Sequence, residues 1–417
     1  MPKKKHEQID NNKNLQPVLN IGLCGHVDHG KTTLLERLSG KWADTHSEEI
    51  KRGITIRLGY ADTILRICEK CNIYTVKEKC AKCNDDAVIR RKVSFVDAPG
   101  HESLMATMLS GATLMDAALL LVSANETCPQ PQTREHLMAL KIIGIKKIII
   151  VQNKIDLVSE ESAIKNYENI KGFIKGTDYE HSPIIPISAF YNAGIDFLIK
   201  AIEEYFSVPE RNPNGPPIML VARSFDINHP GIDIKNIIGG VLGGSIKQGK
   251  LSRGDEIEIR PGYMVTEKNQ NVWKPLFTKI VDIKAGGVSI DLGFPGGTIG
   301  LLTSLDPSIV KADKLVGNVV GLPGKLPKVW NDLTIEIHLL DRVVGVAEQI
   351  NVEPIKINEV FMLNVNTSAT VGIVTKIRKR DIQCKLKLPV CAETGSRITL
   401  SRMVGNRFRL IGYGIIK

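Results

Sequence analysis

Apolar and polar positions divide the chain into two textures. Between Val18 and about Ser207, β-branched apolar runs recur at Val18–Cys24, Val93–Val96, Ala118–Val122, Lys147–Gln152 and Ile184–Ile187. Stretches with helical spacing lie among them, at Thr32–Ser39, Ser103–Leu114, Gln132–Ile143, Glu160–Ile174 and Ile195–Phe206. Strands that are apolar throughout are buried on both faces, so the alternation predicts an α/β unit with a mostly parallel sheet and helices on both sides. Pro209–Pro217, with four prolines and one glycine, cannot continue either element and reads as a linker.

Beyond it helical spacing nearly vanishes. Short apolar runs alternate with Gly239-Gly240, Gly243-Gly244, Gly254-Asp255, Pro261-Gly262, Gly286-Gly287 and Gly296-Gly297, read as turns between the strands of small closed barrels. A second break at Leu322–Pro327 divides this half. The expected units are a flexible basic tail at 1–17, an α/β unit at 18–208, and two all-β barrels at 218–325 and 326–417.

The length of 417 residues fits such a division. No uncharged apolar run approaches the roughly 20 residues that a bilayer requires; Ala117–Ala124 is short and flanked by Asp116 and Glu126. Met1–Lys13 carries lysines but no apolar stretch, unlike a secretory signal. The expectation is a soluble cytoplasmic protein with no membrane role. A formal net charge of +10 makes a polyanionic partner plausible.

Of eight cysteines, four crowd into sixteen residues as Cys68-x₂-Cys71 and Cys80-x₂-Cys83. In a reducing compartment two such pairs read as metal ligands rather than a disulfide framework, and four thiolates suit one closed, structural Zn²⁺ site in an insert at about 67–84. Cys24, Cys128, Cys384 and Cys391 are scattered and read as packing or surface thiols.

Gly25-His-Val-Asp-His-Gly30-Lys31-Thr32 fits G-x-x-x-x-G-K-[ST] after an apolar strand and before a helix. Backbone N–H groups of such a loop, here including His29, Gly30 and Thr33, point at phosphates. Lys31 would reach the β- and γ-phosphates, and the Thr32 hydroxyl would ligate Mg²⁺. Asp97-Ala-Pro-Gly100 closes a strand; its carboxylate can hold Mg²⁺ through water, and the Gly100 N–H can meet the γ-phosphate. In Asn153-Lys154-Ile-Asp156, the Asp156 carboxylate can accept from N1–H and the 2-amino group of guanine, both missing from adenine. Ser188-Ala189-Phe190 can offer N–H groups to guanine O6. Each motif follows a strand, at the edge where open α/β sheets bind ligands. Thr55, in Arg52-Gly53-Ile54-Thr55, can complete the Mg²⁺ shell while the γ-phosphate is present and release it after hydrolysis. His101 is the candidate to orient the attacking water. No built-in arginine finger is identifiable, so slow intrinsic hydrolysis completed by a partner is expected.

Together these motifs resemble the translational GTPases of the elongation factor Tu type. His46–Ala61, Met105–Gly111, Pro129–Thr133, Gly239–Ser245 and Ser401–Gly414, with the cysteines inserted between the switch segments, narrow the likeness to the gamma-subunit family of archaeal translation initiation factor 2. The resemblance implies a GTP-hydrolysing G domain followed by two β-barrels, alpha and beta subunit partners in a heterotrimer, and GTP-dependent delivery of methionyl initiator tRNA to the small ribosomal subunit. It also implies a second magnesium site at Asp28 and Gly53, and an apolar gate of Val27 and Ile54 about the catalytic water. The chain departs from the family pattern at Pro230-Gly231-Ile232, where Pro-Gly-Thr is common. Its length and short N-terminal segment favour the archaeal over the eukaryotic form.

Two rival functions share many of these features. A selenocysteine-specific elongation factor has the same fold and GTP site but carries an additional C-terminal domain. A non-hydrolysing GTP sensor would use His101 and Thr55 only to hold a conformation. The segment 326–417 has 14 Lys and Arg against 8 Asp and Glu, concentrated in Lys376–Lys387 with Arg402, Arg407 and Arg409 following. That run is either a solubilising strand face or a contact for RNA phosphates.

Overall fold

The computed structural model describes residues 16–41, 55, 57–101, 104–229, 231–268, 270–344 and 350–417. Seven strands, β1 (Asn20–Gly25), β2 (Gly59–Cys68), β3 (Ile73–Thr75), β4 (Val88–Asp97), β5 (Ala117–Ser123), β6 (Ile148–Asn153) and β7 (Ile184–Pro186), form one sheet in the order β3-β2-β4-β1-β5-β6-β7. From β4 through β1, β5 and β6 to β7 every pairing is parallel. The helices are α1 (Lys31–Ser39), α2 (Met105–Ala112), α3 (Pro131–Ile143), α4 (Glu160–Ile174) and α5 (Ile195–Tyr205).

Period-two geometry sends successive residues of β5 to opposite cores. Leu119 and Leu121 join Leu34, Leu35 and Leu38 of α1 and Leu198, Ile199 and Ile202 of α5. Leu120 and Val122 join Met108 and Leu109 of α2, Leu137 and Leu140 of α3, and Ile170 and Ile174 of α4. Both faces are thereby covered, as the uninterrupted apolar strands predict.

One part of the sheet departs from the parallel pattern. β2 runs antiparallel to β4, and β3 returns antiparallel to β2. The cysteine insert makes this possible, because it joins β2 to β4 without a crossover helix. β2 escapes a search for apolar runs because buried and half-buried positions alternate along it.

The remainder is two closed six-stranded barrels. In the first, β8 (Ile218–Phe225), β9 (Val241–Gln248), β11 (Glu256–Glu267), β12 (Gln270–Ala285), β15 (Ile299–Thr303) and β16 (Val319–Gly321) close through β11–β12. Short β10 (Leu251–Ser252), β13 (Val288–Ile290) and β14 (Leu292–Gly293) edge it. In the second, β17 (Val329–Leu339), β18 (Val360–Val365), β19 (Ser368–Arg378), β20 (Asp381–Cys391), β21 (Arg397–Val404) and β22 (Arg407–Ile416) close in the order β17-β20-β19-β18-β21-β22.

Three expectations need correction. Gly243-Gly244 is no turn but lies inside β9, where a Cβ on Gly244 would stand 1.9 Å from the Leu220 carbonyl oxygen; β8 approaches too closely for any side chain. Pro261-Gly262 likewise sits within β11, at a register shift against β12. The tail expected over 1–17 is held at its last residues: Gln16 donates to the carbonyls of Phe294 and Gly296 and accepts from the Phe294 N–H. Its first fifteen residues lie outside the described ones.

Both barrels touch the α/β unit through polar contacts. Arg223 of β8 donates to the Leu58 carbonyl at 3.1 Å and pairs with Asp313, which also pairs with Arg57. Asn364 of β18 donates to the Ala106 carbonyl and the Ser110 hydroxyl of α2, both at 2.9 Å. Arg409 of β22 pairs with Glu135 of α3 at 2.9 Å, with both residues buried. Arg409 therefore does not belong to a solvated basic face, and Arg402 is engaged by Glu359 and the Glu353 carbonyl. Lys376, Arg378, Lys379, Arg380, Lys385 and Lys387 are exposed.

Candidate nucleotide and metal sites

β1 ends at Gly25 and α1 begins at Lys31, so the glycine-rich loop caps the sheet at the C-terminal edge of its parallel strands. Gly30 takes the left-handed conformation (φ 88°), and a Cβ there would meet the Asn153 amide nitrogen at 2.3 Å. Gly100 is equally confined, since a Cβ would stand 2.5 Å from Lys31 Nζ. Phosphate loop and γ-phosphate motif thus approach each other as only glycine allows. Lys31 Nζ donates to the carbonyls of Gly25 (3.1 Å) and His26 (2.7 Å).

Three oxygen-bearing side chains converge beside it. Thr32 Oγ1 donates to Asp97 Oδ2 at 3.1 Å and lies 3.3 Å from Thr55 Oγ1. Asp97 and Thr55 are buried. Two hydroxyls and a carboxylate are hard donors, which suit Mg²⁺ rather than a softer ion. Asp28 is exposed in a left-handed conformation (φ 61°), and Val27 is half-buried in the loop. His101 is half-buried, and its carbonyl accepts from the Leu104 N–H. Gly53 and Ile54 lie outside the described residues.

The base-recognition motifs adjoin the loop. A cavity of about 340 Å³ is lined by Gly30, Thr33, Asn153, Lys154, Asp156, Leu157, Ala189, Phe190 and Tyr191. Buried Asn153 donates to the His29 carbonyl at 2.9 Å and accepts from the Ala189 N–H at 3.0 Å, joining the three segments. Asp156 stands exposed at the rim in the turn after β6. Ser188, buried, accepts from the Tyr191 N–H, and Arg37 of α1 binds the carbonyls of Ala189 and Phe190.

Several neighbours of the cleft leave no signal in the sequence. Leu157, Tyr191 and Arg37 carry no motif. His29 Nδ1 lies 2.9 Å from the Leu121 carbonyl and its Nε2 3.3 Å from Glu126; burial holds its pKa below the ordinary imidazole value. His136 of α3 accepts the Gly25 N–H at 2.8 Å. Burial, reinforced by Lys31, His26 and His29, pushes its pKa down to about 3.

The second site is self-contained. The four Sγ atoms of Cys68, Cys71, Cys80 and Cys83 lie within 4.8 Å of one another, and Cys68 and Cys83 stand 3.5 Å apart. Tetrahedral Zn–S bonds of about 2.3 Å demand sulfur separations of about 3.8 Å, so four sulfurs already gathered this closely are compatible with zinc. The backbone N–H groups of Cys83 and Lys82 pull the Cys80 thiol down to about 7, toward the thiolate a metal needs. Burial pushes Cys24, Cys128, Cys384 and Cys391 up to about 12. Cys71 and Cys83 are also raised among their crowded sulfur neighbours, so it is the convergence of four sulfurs that sets the cluster apart.

Comparison with known proteins agrees with this geometry. The profile of the elongation factor Tu GTP binding domain matches residues 16–208, and that of initiation factor eIF2 gamma, C terminal, matches residues 331–416. Translation initiation factor 2 subunit gamma of Pyrococcus furiosus is 57% identical over 405 residues, spanning 97% of this chain and 98% of its own. That of Methanocaldococcus jannaschii is 58% identical over 402 residues, spanning 96% and 98%.

Among solved structures, a bacterial selenocysteine-specific elongation factor superposes with a TM-score of 0.73 at 24% identity, over 96% of this chain and 58% of its own. The factor SelB from Methanococcus maripaludis, in complex with the GTP analogue GppNHp, superposes with a TM-score of 0.69 at 23% identity, over 96% and 79%. At that identity the likeness is one of fold. Within it, the level of identity to the initiation factors decides between the rivals: this chain belongs to the translation initiation factor 2 subunit gamma family, a family of translational GTPases.

Proposed function

We propose that the chain is the GTP-hydrolysing subunit of a heterotrimeric factor that, with alpha and beta subunits, carries methionyl initiator tRNA to the small ribosomal subunit in the cytoplasm. The three working units are 18–208, with its zinc insert at about 67–84, 218–325 and 326–417. The observation that carries this reading is the convergence of Thr32, Thr55 and Asp97 beside Lys31, next to a cavity bordered by Asn153 and Asp156, in a chain of this family.

In that reading Lys31 exchanges the Gly25 and His26 carbonyls for the β- and γ-phosphates, while the N–H groups from His29 to Thr33 cradle them. Thr32, Thr55 and Asp97 would hold Mg²⁺, and Asp28 and Gly53 would serve a second ion. Bound magnesium would neutralise charge developing on the phosphate oxygens. Gly100 donates to the γ-phosphate, and His101 orients the water between Val27 and Ile54, which keep bulk solvent away. Asp156 selects guanine, with Ser188, Ala189 and Phe190 along its O6 edge. When the γ-phosphate leaves, Thr55 would no longer complete the ion's shell, and this change weakens the hold on tRNA. Zinc at Cys68, Cys71, Cys80 and Cys83 is structural, because four protein ligands leave no open position.

Two measurements test the proposal. Filter binding should favour charged initiator over elongator tRNA with GTP and lose that preference with GDP. Single-turnover hydrolysis should be slow in buffer and accelerate with ribosomes. A rate unaffected by ribosomes would overturn the delivery role, and one unaffected by His101→Ala would overturn the role of His101 in orienting the water.

A further inference from the structure

Helix α3 begins with Pro131 at its first position and ends at Gly144 in the left-handed conformation. Successive helical residues point about 100° apart, so two neighbours can face different parts of the protein. Glu135 and His136 do so, each 1% exposed. Glu135 meets Arg409 of the second barrel at 2.9 Å, and His136 Nδ1 meets the Gly25 N–H at 2.8 Å. The barrel grips the helix again at its end, where Arg397 donates to the Ile142 carbonyl at 2.8 Å.

Gly25 opens the phosphate loop. Its backbone is at φ 142°, and the Leu121 carbonyl oxygen would stand 2.6 Å from any Cβ. Its carbonyl accepts from Lys31. The N–H of this residue is therefore held by His136 and its C=O by the lysine that binds phosphate. An imidazole can accept that N–H only with Nδ1 unprotonated; protonated, it would set donor against donor. Burial beside Lys31, His26 and His29 keeps His136 neutral.

We propose that His136 is a positioning residue of the nucleotide site, its Nδ1 fixing the first residue of the phosphate loop from a helix pinned to the second barrel by Glu135 and Arg409. This rests on Gly25–Thr32 being the phosphate cradle. A fixed loop presents its remaining N–H groups to the anion without reorganisation on binding, so the benefit appears in nucleotide affinity and residence time.

The test uses the full-length protein, zinc-loaded, and dissociation of a fluorescent N-methylanthraniloyl-GDP. His136→Asn places an amide oxygen close to the position of Nδ1, whereas His136→Leu fills similar space without an acceptor. His136→Leu should release the nucleotide about tenfold faster, the consequence of stranding one buried N–H. His136→Asn should stay within about threefold of wild type, and both should keep wild-type zinc content and thermal midpoint to within a few degrees. Equal rates in the two variants would overturn the proposal, whether both match wild type or both are fast. Should His136→Leu fail to fold, the ¹⁵N resonance of wild-type Nδ1 decides: an unprotonated nitrogen coupled to the Gly25 N–H supports the assignment, and a protonated Nδ1 overturns it. Lys31→Ala separates the premise, since undiminished GDP affinity in that variant would mean that the loop does not cradle phosphate at all.

Discussion

The cysteine cluster and the nucleotide cleft lie in the same α/β unit and are assembled in opposite ways. The cluster draws its four sulfurs from sixteen consecutive residues, on two turns flanking the short strand β3. The cleft draws its side chains from segments between Gly25 and Tyr191, brought together by the register of β1, β4 and β6. A local site can be lost without disturbing much else. A distributed one transmits any disturbance, because each segment is bonded to another: Asn153 to His29 and Ala189, Thr32 to Asp97, His136 to Gly25.

Asp156→Asn should break the distributed site most severely. It replaces the carboxylate proposed to accept from two guanine N–H groups, and charge-assisted bonds of roughly 1.5–3 kcal/mol each place the loss of GTP affinity at about 10²–10⁴-fold. Xanthosine triphosphate, whose 2-oxo group accepts from an amide, should bind the variant better than GTP does. Nucleotide competition that leaves guanine preferred would show that Asp156 does not read the base.

Acid should loosen the same cleft by a route the zinc cluster lacks. His136 titrates near 6.5 when unfolded and at about 3 in the folded protein. Between those values the unfolded chain binds the extra proton, so stability falls as pH decreases through that window, by about 1.4 kcal/mol per unit. From pH 7 to pH 5 this one group removes about 2 kcal/mol, read from urea midpoints. His136→Asn should be spared that share; an identical acid loss in wild type and variant would assign it elsewhere.

Cys80→Ser tests the other side of the comparison. The wild-type protein should contain about one zinc per chain, and the variant much less. Limited proteolysis should then open 67–87, while GTP affinity stays within about twofold because no cysteine of the cluster lines the cleft. A large loss of GTP affinity would mean that the two sites communicate through β2 and β4. Iron in elemental analysis would replace the zinc assignment.

The same contrast explains how much the sequence discloses. The four-cysteine cluster and the glycine-rich loop are legible because spacing alone nearly determines their geometry. The parallel strands are legible because burial on both faces leaves them apolar throughout. His136 and Arg37 are not, since they act through backbone atoms of loops more than a hundred residues away, and a backbone contact leaves no mark on the partner's residue type. Gly243 and Gly244 mislead for a related reason. Glycine serves close strand approach as well as turns, and only the neighbouring β8 tells the two apart. Arg409, counted among the basic residues of the last unit, proves to be half of a buried pair because its partner Glu135 lies 274 residues earlier.

The smallest expected effect concerns what remains of that basic run. Lys376, Arg378, Lys379, Arg380, Lys385 and Lys387 are exposed along β19, β20 and the turn between them, while Asp381, facing Arg378 across the ladder, is drawn toward Lys417. On a closed barrel, which has no free strand edge, exposed lysines commonly do no more than keep the outer face solvated. If this face instead touches phosphates of tRNA or ribosomal RNA, removing one basic side chain from a phosphate should flatten the slope of log affinity against log salt by roughly 0.7–0.9. Arg378→Glu with Arg380→Glu should then weaken binding to initiator tRNA or to the small subunit, most visibly at low salt. GTP affinity should not change, because neither arginine borders the nucleotide cavity. Salt slopes equal to wild type for both RNA partners would identify the face as solubilising only, and would confine the coupling between this barrel and function to the bonds that Asn364, Arg397 and Arg409 make with α2 and α3.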